Sequence, residues 1–265
     1  MNDEVYSHGH HPSVTAAHAT RTVASSAAYL EPFLEAGMDV LDIGCGPGSI
    51  TAGLADIVAP GTVLGIDSSA DVIAQAAEGH ADLANVEFRV GNVYDLDAPD
   101  ESFDVVHAHQ LLQHLADPVA ALREMRRVVR PGGIVAARDA DFGAMTWYPA
   151  VDELEEWREL YRDLARGNGG EPDAGRRLPG WATEAGFAVV EVSSSNWVYA
   201  TPEERNFHAE SWAERVLHSA FAEQTLERGI ADQQTLERLA AGWRRWARTD
   251  DGVFLMPSVE ILARD

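Results

Sequence analysis

From residue 38 to residue 141 the chain keeps one rhythm, a short apolar run followed by an amphipathic stretch, and this restricts its fold more than any other feature. "DVLDI", "GTVLGID", "VEFRV", "FDVVHAH" and "IVAARDAD" have the length and β-branched content of buried strands. Between them "SITAGLADIV", "SSADVIAQAAEG" and "DPVAALREMRRVVRPGG" read as helices. Ser68 or Ser69 is placed to cap the second and Gly79 to end it, and Pro131 with two glycines ends the third. Strands alternating with helices predict a parallel sheet covered on both faces, because each crossover lays its helix on the sheet. The expected fold class is α/β, with a doubly wound, mostly parallel sheet.

After Asp141 the rhythm changes. Residues 150–166, 174–185, 202–228 and 232–248 read as helices, and only "FAVVEVSSSNWVYA" and "VFLMPSVEILA" as strands, which brings the expected sheet to seven strands. The pattern is that of a helical cap inserted before the last strand. Ahead of the sheet, "SVTAAHATRTVASSAAYLEPFLEAG" reads as one or two helices. The expected division is an N-terminal helical segment (1–37), an α/β core (38–145), a further core strand with the cap insertion (146–252) and the last strand (253–265).

Charge narrows the partners. The formal net charge is -23 and the chain has no lysine, so every cationic side chain other than histidine is an arginine. Such an acidic surface repels phosphate backbones, and no nucleic-acid partner is expected. Arginine-only, alanine-rich usage points to a GC-rich bacterial genome. A single cysteine, Cys45, rules out an internal disulfide. The polar start "MNDEVYSHGHH" has no apolar signal region, and no apolar run reaches a membrane span, so the expected setting is the cytoplasm, with no membrane partner. Oligomeric state is not legible.

The functional signal is "DVLDIGCGPGSIT". Its glycines fall at Gly44, Gly46 and Gly48, with Ser49 where a dinucleotide fingerprint has its third glycine. No Gly-Lys-Ser/Thr follows, which excludes a P-loop. Asp42, at the strand end beneath the loop, would oppose a pyrophosphate and favour a ligand bearing an ammonium group. Asp67 ends the next strand, where an acid accepts both ribose hydroxyls. Ribose without phosphate, together with a positive charge near the loop, describes S-adenosylmethionine.

"VLDIGCGPGSIT", "VLGIDSS", "VEFRVGNVYDLDAPDESFDVVHAHQLLQHLADP" and "LREMRRVVRPGGIVAARD", in that order over roughly residues 38–140, resemble a class I methyltransferase of the group that includes the ubiquinone and menaquinone biosynthesis enzymes. The resemblance implies a Rossmann-like core over 38–145 with an N-terminal helical lid over 1–37, and S-adenosyl-L-methionine as cofactor, with S-adenosyl-L-homocysteine as product. It implies that Asp42, Gly44, Cys45 and Gly46 pass beneath the methionine part, and that Asp67 holds the ribose with Ser68 continuing the turn. Asn92, followed by Val93, stands where the family usually has the acid that meets the adenine amine, and an amide oxygen can still accept there. His109 and Gln110 lie where a backbone carbonyl usually meets the methionine ammonium.

Methyl transfer is an in-line displacement that needs positioning and exclusion of water, with a base only if the acceptor must lose a proton. His114, beyond the fourth strand, is the first candidate for that base, with a helix-start residue as its alternative reading. His107 reads as a packed strand residue. Asp139 is a second catalytic candidate and Asp141 a substrate contact; the two could also fix Arg138 or cap the next helix. Histidines sit where a catechol-type metal site wants acids, so no metal is expected. Tyr6, His10, His11 and Arg21 are expected to cover the active site from the N-terminal segment, where the histidine run is otherwise a tail or a zinc ligand set. Most cap aromatics, at helical spacing, read as cap core, whereas Trp147 and Tyr148 follow the fifth strand and are expected to face the substrate. Arg176 and Arg177 are a helix start or partners for a substrate acid. The expected function is methylation of a small, largely apolar organic molecule at oxygen, nitrogen or carbon. The alternatives are an NAD-dependent oxidoreductase, which Asp42 and Ser49 disfavour, and a catalytically silent S-adenosylmethionine-binding protein.

Overall fold

The structure is a computed structural model and describes residues 20–265. Among the described residues ahead of the sheet stand a helical turn, α1 (Val23–Ser26), and a 3-10 turn (Glu31–Phe33); residues 13–19 of the stretch expected to be helical lie outside them. The alternating region then forms β1 (Val40–Ile43), α2 (Ser49–Val58), β2 (Val63–Asp67), α3 (Ala70–Gly79), β3 (Val86–Val90), β4 (Phe103–His109), α4 (Pro118–Val128) and β5 (Val129–Ala140). Ser69, not Ser68, caps α3 by accepting from the Val72 N–H. Helix α4 stops at Val128, and "VRPGG" opens β5 instead of prolonging the helix. A residue before proline is pushed out of the helical region, which moves the boundary back.

The chain continues with β6 (Thr146–Tyr148), α5 (Asp152–Gly167), α6 (Leu178–Ala185), β7 (Val189–Tyr199), α7 (Pro202–His218), α8 (Ala220–Glu227), α9 (Gln233–Ala247) and β8 (Val253–Arg264). The single helix expected over 202–228 is divided at Ser219. Its extended backbone ends α7, and its hydroxyl accepts from the Phe221 N–H at the start of α8.

Strands β3, β2, β1, β4 and β5 pair in parallel in that order, and β8 adds antiparallel to β5. β7 pairs with β8 along its whole length, so β5 and the short β6 share the other edge of β8. The sheet has eight strands, one more than expected, because Thr146–Tyr148 pairs with Val253–Leu255. The winding reverses between β1 and β4, and in open α/β sheets that crevice, at the carboxyl ends of the strands, is where ligands bind.

Aliphatic side chains fill both faces of the sheet. Leu54 and Val58 of α2 cover one face, and Leu122 and Met125 of α4 the other, all fully buried. The cap has a separate, aromatic core in which Trp157 of α5 meets Trp212 of α7 and Trp243 of α9 edge to face, at 4.4 and 4.7 Å between ring centroids. Aromatic pairs in that geometry add about 0.5–1.5 kcal/mol each beyond the area they bury. Among the described residues no helix is long and apolar enough to cross a membrane.

Candidate active site

At the crevice the glycine loop joins β1 to α2. Gly46 has φ 55°, and a Cβ there would meet nothing within 4 Å, so its bare backbone faces open space. Gly48 has φ 82°, and a Cβ would come within 2.7 Å of the Phe88 ring, so that position takes only glycine. Asp67 ties the loop to the neighbouring strand: its carboxylate accepts from the Gly46 N–H at 3.2 Å and the Ser69 N–H at 3.0 Å. A groove of about 210 Å³ lies along the loop and the ends of β2, β3 and β4. All ten residues expected to touch the cofactor line it, joined by apolar side chains the sequence did not single out, among them Ile50, Val72 and Leu115.

Two of those ten are placed differently from expectation. Asp42 is buried, with Oδ2 accepting from the Thr51 hydroxyl at 2.6 Å and Oδ1 2.7 Å from Nδ1 of His107. It therefore adds negative charge beneath the loop and braces β1 against β4, with both oxygens already engaged. His107 accordingly belongs to the strand packing. The Asn92 side-chain oxygen accepts from the Tyr94 N–H at 3.0 Å, which leaves it one lone pair for a ligand amine. The thiol of Cys45 is pushed far up by burial and by the charges of Asp42 and Asp67, so it is no nucleophile. The groove suits a nucleoside without phosphate: a bare loop, acids at two strand ends, and one guanidinium, Arg21, among its described lining residues.

A second cavity, of about 720 Å³, opens beside the groove between β5, β7, β8 and α7. The two cavities share Arg21, Gln110 and His114. Arg21 donates to the Gln110 side-chain oxygen at 2.7 Å. Gln110 holds φ 51°, a left-handed conformation that costs a non-glycine residue on the order of 1–3 kcal/mol and that collects at functional sites. His114 ends a 3-10 turn (Leu112–His114), with Nε2 3.0 Å from the Gln113 amide nitrogen. Burial, with a smaller push from the Arg21 charge, lowers its pKa to about 3. His114 thus stands where the sequence put it, as a neutral ring at the edge shared by both cavities.

Asp139 lines neither cavity and is fully buried. Its Oδ1 accepts from the Gln113 N–H at 3.2 Å, so it fixes the turn that carries His114 instead of meeting substrate. Burial raises its pKa to about 7, against the opposing backbone hydrogen bonds from Gln113 and Leu112.

Three substrate expectations are corrected. Asp141 accepts from the Ala144 N–H at 3.0 Å and from both Nε (2.6 Å) and Nη2 (2.5 Å) of Arg176, so each caps or braces a turn. Trp147 is buried against Phe254, 5.6 Å between parallel rings, with the Arg158 guanidinium over its other side. Tyr148 is exposed, and neither aromatic lines a cavity. The cause is the pairing of β6 with the far end of β8, which carries both away from the crevice. Tyr6, His10 and His11, and with them the zinc alternative, lie outside the described residues.

Side chains that the sequence did not assign to a site line the larger cavity: Tyr29, Ser195, His208 and Glu260, with Trp197 read among the cap aromatics and Arg138 only as a partner for the aspartates. One signal was available: Ser195, Trp197 and Tyr199 alternate along β7 and share a face. The direct opposition of Arg138 and Glu260 across β5 and β8 needed the register.

Comparison with known proteins agrees with this geometry. A family model described as a methyltransferase domain matches residues 34–201, more than half of the chain. An uncharacterized methyltransferase of Schizosaccharomyces pombe is 35% identical over 97% of this chain and 95% of its own length. A demethylmenaquinone methyltransferase of Staphylococcus aureus is 39% identical, but over 47% of this chain and half of its own, so the menaquinone-type likeness is confined to part of the molecule. Among solved structures, phosphoethanolamine N-methyltransferase 2 of Haemonchus contortus, bound to phosphomonomethylethanolamine and S-adenosylhomocysteine, superposes with a TM-score of 0.57 at 22% identity, covering 90% of this chain and 52% of that one.

Proposed function

The chain belongs to the class I S-adenosylmethionine-dependent methyltransferases, and we propose that it methylates a small organic molecule held in the cavity between sheet and cap. The observation that carries this reading is the meeting of the two cavities at Arg21, Gln110 and His114. A groove for the methyl donor and a chamber for the acceptor must share a wall, and these three residues are that wall.

When bound, S-adenosylmethionine supplies a methyl on a positively charged sulfur, an electrophile that needs no further activation. The chain's own part is to bind, orient and keep out water. Asp67 offers carboxylate oxygens at the ribose end of the groove, Asn92 its remaining lone pair at the adenine end, and Val72, Val93 and Leu115 an apolar bed. Asp42, already satisfied, contributes charge from below. His114, neutral at pH 7, positions the acceptor as a hydrogen-bonding partner. With no strong base among the described residues at the junction, the rate rests on proximity, and acceptors that need no proton removed, or are already ionised, are favoured. A lone cysteine and an acidic surface fit a cytoplasmic setting without nucleic-acid partners.

Calorimetry with S-adenosylhomocysteine and with NAD, followed by transfer of labelled methyl to a panel of small aromatic and aliphatic acceptors, tests the reading. Binding of the first nucleoside but not the second, with label on a small acceptor, is expected. Indifference to S-adenosylhomocysteine at about 1 mM, the affinity of a negligible ligand, overturns the groove assignment. Tight binding with no acceptor found would leave a silent binding protein.

A further inference from the structure

The floor of the larger cavity holds a polar cluster that the methyl-transfer reading does not use. Arg138 on β5 and Glu260 on β8 face each other in register, 0% and 5% exposed. Both oxygens of Glu260 are engaged: Oε1 by Arg138 Nε at 3.3 Å and by the Ser195 hydroxyl, Oε2 by the Ser193 hydroxyl at 2.6 Å. Arg138 donates to Ser195 Oγ through Nε and Nη2, each at 3.2 Å, but its Nη1 has no acceptor among the described residues. Tyr29, from the segment ahead of the sheet, lines the same cavity, and its hydroxyl also lacks a described partner. Burial and the Glu260 charge hold that phenol protonated, so it is a donor.

Two strong donors, one on a cation, are therefore buried beside a chamber with nothing to receive them. Such groups are costly unless an acceptor reaches them, and both oxygens of the neighbouring Glu260 are already engaged. The other carboxylate lining the cavity, Glu204, accepts from the Ala200 and Thr201 N–H groups. Trp197 lines the same cavity, with the Arg138 guanidinium 4.8 Å and the Arg21 guanidinium 5.3 Å from its ring centroid.

Building on the proposed methyl transfer, we infer that the acceptor molecule carries an anionic oxygen, as a carboxylate or phenolate, which Arg138 and the Tyr29 hydroxyl receive. Charge-assisted hydrogen bonds to such an oxygen are about twice as strong as those between neutral groups, and the paired donors fix its orientation toward the junction. The cluster is a specificity device and stands apart from the reacting centre.

The test titrates the full chain, saturated with S-adenosylhomocysteine, with cinnamate and with cinnamamide, a matched acid and neutral amide. The acid is expected to bind about tenfold tighter or better. Tyr29→Phe, which removes only the hydroxyl, should weaken the acid about fivefold and change the amide less than about twofold. Arg138→Met combined with Glu260→Met removes the pair together and strands neither charge; it should erase the preference for the acid. If that double variant fails to fold, Tyr29→Phe alone decides. Equal affinity for acid and amide, no binding of either at about 10 mM, or an acid preference untouched by Tyr29→Phe overturns the inference. Loss of S-adenosylhomocysteine binding in the unaltered chain would instead bring down the groove assignment on which it rests.

Discussion

The groove along the glycine loop is walled by that loop and the ends of adjacent parallel strands, whereas the larger cavity is walled by side chains from the N-terminal segment, β5, β7, β8 and α7. The groove follows from local rules, since a left-handed turn needs glycine and the strand that precedes it fixes where the turn lies. The cavity follows from packing between distant segments. The two regions meet at Arg21, Gln110 and His114.

The largest effect expected from treating the two regions as separate comes from the cap core. Trp243→Ala should cost about 3–5 kcal/mol of unfolding free energy by denaturant titration, as large-to-small changes at buried aromatics do. It should leave S-adenosylhomocysteine affinity within about twofold, since Trp243 is buried in the cap cluster and lines neither cavity. A collapse of cofactor affinity would show instead that cap and groove form one cooperative unit. On the groove side, Asp67→Ala removes the carboxylate that takes the Gly46 and Ser69 N–H groups. Hydrogen bonds to a charged group contribute about 1.5–3 kcal/mol each, so affinity should fall about 30-fold or more by calorimetry. Normal affinity would deny Asp67 any part in the site.

A smaller effect sharpens the boundary between the regions. Asp139 sits beneath the His114 turn with its pKa raised by burial to about 7, above the ordinary carboxylate value. The native state therefore favours its protonated form. The stability this confers is full below about pH 4 and declines as pH rises through 7. His114 and His208, held neutral by burial with pKa near 3, have the opposite sign and lose stability as pH falls below about 6.5. Melting temperature followed from pH 5 to 8 should fall less for Asp139→Asn than for the unaltered chain. Parallel profiles would mean that Asp139 does not titrate there. The smallest effect belongs to Tyr148→Ala, which should change acceptor KM by less than about twofold, as a side chain outside both cavities must. A large rise would return Tyr148 to the substrate side.

How much of this was written in the residues differs between the regions in the same way. β1 to β5 were legible because each buried strand is a short apolar run bounded by polar or glycine residues, and the groove residues because they lie next to those ends in sequence. Trp147 misled because it follows a strand end directly, yet the cross-strand partner of β6 turned it into the cap. Asp139 and Asp141 were read as chemistry from their position, but burial and Arg176 made them braces. Arg138 and Glu260 were opaque for a different reason: they are 122 positions apart, and only the antiparallel pairing of β8 with β5 sets them face to face.

What the sequence by itself determined is the order of β1 to β5 and the helices between them, the turn that only glycine can make, and the acid at the tip of β2, because local periodicity and backbone conformation are fixed by neighbours along the chain. What only the tertiary structure decided is the acceptor chamber and the state of the groups around it, because burial, register and charge compensation depend on residues that meet across the sheet and the cap.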